Sequence, residues 1–120
     1  VHDSKRFRIT NNTMRSVFFG IKVDHSSEGW IEGNHVQSEN KTEAGAGNGI
    51  HLWHCEQITL RRNDLSKMRD GIYFEFVKNS HIENNVSHNN IRYGLHFMFS
   101  NHDSYTNNHF YENGAGVAVM

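Results

Sequence analysis

One short pattern limits the fold of this chain more than any other feature: a glycine followed by apolar, any, apolar. It stands at Gly20-Ile21-Lys22-Val23, Gly49-Ile50-His51-Leu52, Gly71-Ile72-Tyr73-Phe74, Gly94-Leu95-His96-Phe97 and Gly116-Val117-Ala118-Val119. A second pattern, apolar-x-x-Asn, stands at Ile9/Asn12, Ile31/Asn34, Leu60/Asn63, Ile82/Asn85 and Tyr105/Asn108. From each glycine to the next apolar-x-x-Asn is 11 positions (20 to 31, 49 to 60, 71 to 82, 94 to 105). From asparagine to glycine is 8 or 9 positions, except 15 between Asn34 and Gly49. The chain is therefore five copies of a unit about 22 residues long, with one insertion.

A unit of that length holds three short alternating segments and their turns. This predicts an all-β fold: a right-handed parallel β-helix, a solenoid of about five coils of roughly 22 residues. Helical solenoids use longer repeats with a 3.6-residue period, and leucine-rich repeats need a denser leucine frame. In a β-helix each coil lies roughly 4.8 Å from the next, so equivalent residues form columns. Asn12, Asn34, Asn63, Asn85 and Asn108 are expected as an asparagine ladder at a bend, since Asn tolerates left-handed backbone. The glycines are expected at a second corner. The columns Ile21/Ile50/Ile72/Leu95/Val117 and Val23/Leu52/Phe74/Phe97/Val119 are the expected core. One coil buries about five apolar side chains at roughly 1.5–3 kcal/mol each, less than the cost of ordering its residues. Only stacked coils are stable.

Residues 1–120 read as a single β-helix domain. Val1 aligns with Val23, and Met120 falls inside a strand, so the domain is expected to be a fragment of a longer protein with open ends. The small, Gly-rich stretch 41–48 is expected to be a surface loop insertion before Gly49. No Lys and no helix pattern follow it, which argues against a phosphate-binding loop.

Composition narrows the function. Net charge is -1 and no Lys/Arg-rich run occurs, so a nucleic-acid partner has no electrostatic support. No apolar run approaches the roughly 18 residues of a membrane-crossing helix. The single Cys55 cannot form an internal disulfide and, without a CxxC partner, reads as a buried structural thiol.

The residues between the core positions carry the candidate chemistry. The first outward column is Lys22, His51, Tyr73, His96, Ala118; the second is Asp24, Trp53, Glu75, Met98, Met120. Met98 and Met120 are expected as neighbours on adjacent coils, with His96 on the same face. Thioether and imidazole donors suit Cu(I) better than oxygen-seeking cations. His96, Met98 and Met120 are thus candidate copper ligands, with His51 and Glu75 farther along. His25 and His54 are expected to stack as an exposed or half-buried pair, and Glu32, Arg61 and Glu83 to form an alternating-charge ladder. Asn11, Asn40 and Asn85 open glycosylation sequons, two of them within the repeat's own asparagines, so chance explains them.

Many β-helices cleave polysaccharides with two carboxylates facing one glycosidic bond. Asp70 and Glu75 are separated by a corner, and Asp24 lies coils away. Trp53 and Tyr73 could stack on a sugar. A carbohydrate-binding or sugar-hydrolysing module is the alternative, and a purely structural docking scaffold a third.

The segments Gly47–Trp53, Arg69–Phe76, Arg92–Ser100 and Asn113–Met120 resemble the NosD family, the periplasmic maturation proteins of nitrous oxide reductase. The likeness covers residues 47–120. It implies a pectin-lyase-like β-helix of the carbohydrate-binding and sugar-hydrolase repeat type. It also implies a periplasmic, non-catalytic accessory protein that works with ABC transporter subunits. Copper would be its transient cargo, and nitrous oxide reductase and a copper chaperone its further partners.

Overall fold

In the computed structural model, which describes residues 1–39 and 45–120, the chain winds as a parallel β-solenoid of about five turns. Alternation of apolar and polar residues places every second side chain inside. The first face stacks β3 (Ile21–Asp24), the start of β6 (Ile50–Arg61), β8 (Asp70–Lys78), β11 (Tyr93–Met98) and β14 (Ala115–Val119), all parallel. The second stacks β1 (Arg8–Thr10), β4 (Ser27–Glu32), the end of β6, β9 (His81–Glu83) and β12 (Ser104–Thr106). The third stacks β2 (Thr13–Arg15), β5 (His35–Gln37), β7 (Asp64–Ser66), β10 (Val86–His88) and β13 (His109–Tyr111). The long β6 bends around a corner and joins the first two faces.

The expected columns are present. Ile21, Ile50, Ile72, Leu95 and Val117 are successive register partners, as are Val23, Leu52, Phe74, Phe97 and Val119. The central members of both are buried. Arg61 lies 3.6 Å from Glu32 and 3.2 Å from Glu83, the alternating-charge ladder. Cys55 is buried, its Sγ 3.5 Å from the Trp53 carbonyl oxygen, and burial pushes its pKa up.

Two roles differ from expectation. The ladder asparagines do not occupy left-handed backbone. Their predecessors do: Asn11 (φ 55°), Gly33 (φ 72°), Arg62 (φ 51°), Asn84 (φ 55°) and Asn107 (φ 54°). Asn34, Asn63 and Asn85 themselves point inward and are buried. Each accepts at Oδ1 from the backbone and side-chain amides of the asparagine one coil earlier, as Asn63 does from Asn34 at 3.0 Å. Each Nδ2 also donates to a carbonyl of the preceding coil, such as Asn63 to Ile31 at 2.9 Å.

The column glycines likewise do not have positive φ. They are needed for space. A Cβ on Gly49 would sit 2.5 Å from the Gly71 carbonyl oxygen, whereas one on Gly116 would meet nothing closer than 3.9 Å. Gly49→Ala is accordingly expected to cost about 1–3 kcal/mol as overpacking, and Gly116→Ala almost nothing. Urea unfolding midpoints of the two variants check this; equal midpoints would refute it.

The expected surface loop spans 41–48. Residues 41–44 lie outside the described residues. Ala46, Gly47 and Asn48 are buried in the coil wall, because the Gly47 N–H donates to the Phe18 carbonyl (3.0 Å) and the Arg69 N–H to the Gly47 carbonyl (2.8 Å).

Candidate metal site on the glycine-entered face

The pleat of the first face sorts the five candidate donors into two adjacent columns. His51, Tyr73 and His96 are register partners in one; Trp53, Glu75 and Met98 are in the other. Met120 extends the second column, since its N–H donates to the Phe97 carbonyl (2.9 Å) and its carbonyl accepts from the Phe99 N–H (3.1 Å). Met98 and Met120 are therefore cross-coil neighbours at the interstrand spacing of about 4.8 Å. Met98 is half-buried and Met120 exposed. His96 lies two residues from Met98 on the same side of β11. His51 and His96 are not neighbours, because Tyr73 stands between them with ring centroids at 4.7 Å and 5.1 Å.

His96 departs from the expectation of an outward, open side chain. It is only 3% exposed. The rings of Tyr73 and Tyr93 pack edge-on against it, at 5.1 Å and 4.8 Å. Its Nδ1 is 3.1 Å from Oδ2 of Asp70, itself fully buried. A carboxylate only accepts, so His96 Nδ1–H is the donor. In the neutral ring Nε2 then carries the lone pair, and that atom is buried without a hydrogen-bond partner. A histidine whose proton is held on one nitrogen by a carboxylate, leaving the other bare, is the arrangement metal-binding histidines adopt.

His51 is arranged the other way. The Asp70 backbone N–H donates to Asn48 Oδ1 at 3.2 Å, which fixes the amide. Asn48 Nδ2 then faces His51 Nδ1 at 3.1 Å as donor. Neutral His51 must hold its proton on Nε2. Burial, with Lys22 and Arg69 nearby, lowers its pKa to about 4, so the ring is neutral at ordinary pH. Of the two histidines, His96 is the one with an available lone pair. Glu75 is the register partner of Met98 and offers an oxygen beside the thioether.

Asp70, Tyr93 and Asn48 are the residues that sequence reasoning missed. They occupy the single position before the glycine, where the copies read Phe19, Asn48, Asp70, Tyr93 and Ala115. The signal was a lone acid in an otherwise uncharged column. As a candidate sugar-cleaving acid Asp70 is ruled out by place: fully buried and bonded to His96, it does not face a shared substrate with Glu75.

A ring ladder runs along the next corner. His25 stacks on His54 at 5.2 Å, as expected, His54 on Phe76 at 4.7 Å, and Phe76 on Phe99 at 5.4 Å. All four have left-handed backbone, φ 48–55°. Phe76, Phe99 and the adjacent Trp53 are exposed.

Fold and donors together define a parallel β-solenoid with nitrogen and sulfur donors gathered on one face. A family model described as "Periplasmic copper-binding protein (NosD)" matches residues 35–120, and the chain belongs to this NosD family. A curated relative from Stutzerimonas stutzeri, "Probable ABC transporter binding protein NosD", is 34% identical over 69 residues, 57% of this chain. The chain spans 16% of that relative's length. No solved structure matches.

Proposed function

We propose that the chain is part of a non-catalytic periplasmic accessory protein that carries copper to nitrous oxide reductase during its maturation. Met98 and Met120 form the exposed entry of the copper site and His96 its inner ligand, with Glu75 beside them and His51 farther along the face. The observation that carries this reading is the bare, buried Nε2 of His96 two residues from a cross-coil methionine pair. Two thioethers and an imidazole are a soft set that favours Cu(I). The Tyr73 and Tyr93 rings pack against the buried imidazole, which must be uncovered to reach the metal; copper on this reading is transient cargo. The exposed rings Trp53, Phe76 and Phe99 flank the methionines and offer apolar surface for docking. ABC transporter subunits, the reductase and a copper chaperone are the partners this reading assigns; the relative's printed name supports the first of them.

A Cu(I) competition titration tests the site. Binding at sub-micromolar strength is expected for the chain and its loss for the His96→Ala/Met98→Ala variant. An affinity indifferent to that double change would refute the site.

A further inference from the structure

At the opposite end of the Met98 column the donors change character. His2 is the bridge partner of Asp24, and Asp24 the register partner of Trp53. The column therefore runs His2, Asp24, Trp53, Glu75, Met98. Four coil steps at about 4.8 Å put His2 roughly 19 Å from Met98. Around His2 the side chains converge: Nδ1 is 2.5 Å from Oδ2 of Asp24, Nε2 is 2.9 Å from Oδ2 of Asp3, and His25 Nδ1 is 2.9 Å from the same Asp24 oxygen. Among the described residues, His2, Asp3 and His25 have ligand atoms within 4.8 Å of one another, and Asp24 sits behind them on Nδ1 of both imidazoles.

We propose that His2, Asp3 and His25, oriented by the Asp24 carboxylate on Nδ1 of both imidazoles, form a site for a borderline divalent cation of the Zn2+ class, separate from the methionine end. The donor set is two imidazoles and one carboxylate, which suits such ions and not Cu(I). Donors of a tetrahedral ion at about 2.1 Å lie about 3.4 Å apart, so side-chain rotations that close gaps of at most 4.8 Å bring His2, Asp3 and His25 onto one metal. Two backbone constraints limit how far the set can spread. Pairing of His2 with Asp24 fixes one pair, and Asp3 and His25 follow directly at equivalent corners, both with left-handed backbone (φ 47° and 48°). His25 is braced by the stacked ring of His54 and the edge of Trp53, at 5.2 Å and 5.0 Å.

Charge agrees. With both imidazoles neutral the cluster carries two negative charges, which one divalent ion balances. Without metal, protons hold it together: Asp24, and then Asp3, raise the pKa of His2, while His25 and His2 lower that of Asp24.

Titration with Zn2+ against a chromophoric chelator, and with Co2+ followed by its visible spectrum, tests the site on the whole chain. One Zn2+ per chain is expected, at least tenfold weaker in His2→Ala/His25→Ala, with unchanged thermal unfolding. Imidazole NMR resonances of His2 and His25 should move with substoichiometric Zn2+ while those of His109 stay. Met98→Ala/Met120→Ala should lose Cu(I) and keep Zn2+, so failure of either site is read independently. Absence of Zn2+ binding, or an affinity and imidazole spectrum indifferent to the His2/His25 change, overturns the proposal.

Discussion

Asn63→Leu is expected to destabilise the solenoid by about 3–6 kcal/mol. Leucine keeps the branched heavy-atom outline of asparagine but is bulkier, so stranded polar partners and some overpacking both contribute. Asn63 Oδ1 accepts from the backbone and side-chain amides of Asn34, and Nδ2 donates to the Ile31 carbonyl and to Asn85 Oδ1. Asn34, Asn63 and Asn85 are each about 1% exposed, so water cannot replace these bonds. Several buried groups are stranded at about 1–3 kcal/mol each, a large part of the 5–15 kcal/mol of an ordinary domain. Asn84→Ala, one residue before the ladder, is the contrast. There the side chain is exposed and only the left-handed backbone (φ 55°) is at stake, worth about 1–2 kcal/mol. Chemical denaturation followed by circular dichroism compares them. Equal losses would mean that the ladder contributes no more than its corner.

The same contrast separates what the chain states openly from what it hides. Repeats state register, because stacking forces equivalent residues into columns. The Ile/Val/Phe core, the Glu32–Arg61–Glu83 ladder and the Met98–Met120 neighbourhood were all legible that way. Which residue takes the left-handed turn was not legible from residue type. The corners accept His54, Phe76, Arg62 and Lys67 with positive φ, because stacked coils on both sides hold the bend and pay the strain that a free turn avoids by choosing Asn or Gly. Periodicity also says nothing of what lies over an outward residue. His96 shares its column with exposed Lys22 and differs from it because Asp70 and Tyr93, from around the corner, and the neighbouring Tyr73 pack about it. That coverage depends on particular side chains outside the repeat's fixed positions.

Asp70→Asn tests whether that coverage serves the metal. The carboxylate accepts at Oδ1 from the Tyr93 N–H (3.2 Å) and at Oδ2 from His96 Nδ1–H (3.1 Å). Asparagine fills the same space but has a single acceptor. If its oxygen keeps the Tyr93 amide, its NH2 faces His96 Nδ1 and drives the imidazole proton to Nε2. If it flips, two donors confront each other at Tyr93, beside Arg92, whose Nε lies 4.0 Å from Asp70. Either outcome costs stability, about 3 kcal/mol for losing one partner of a buried charged network. The first also removes the lone pair at Nε2. Cu(I) affinity should then fall about 10–100-fold, the range for loss of a carboxylate behind a histidine ligand, with every proposed ligand still in place. The 15N shifts of the His96 ring report the tautomer directly. A ring that keeps its proton on Nδ1 together with unaltered copper affinity would make Asp70 a purely structural acid. A reversed tautomer with weakened copper would make it the residue that positions His96 for the metal.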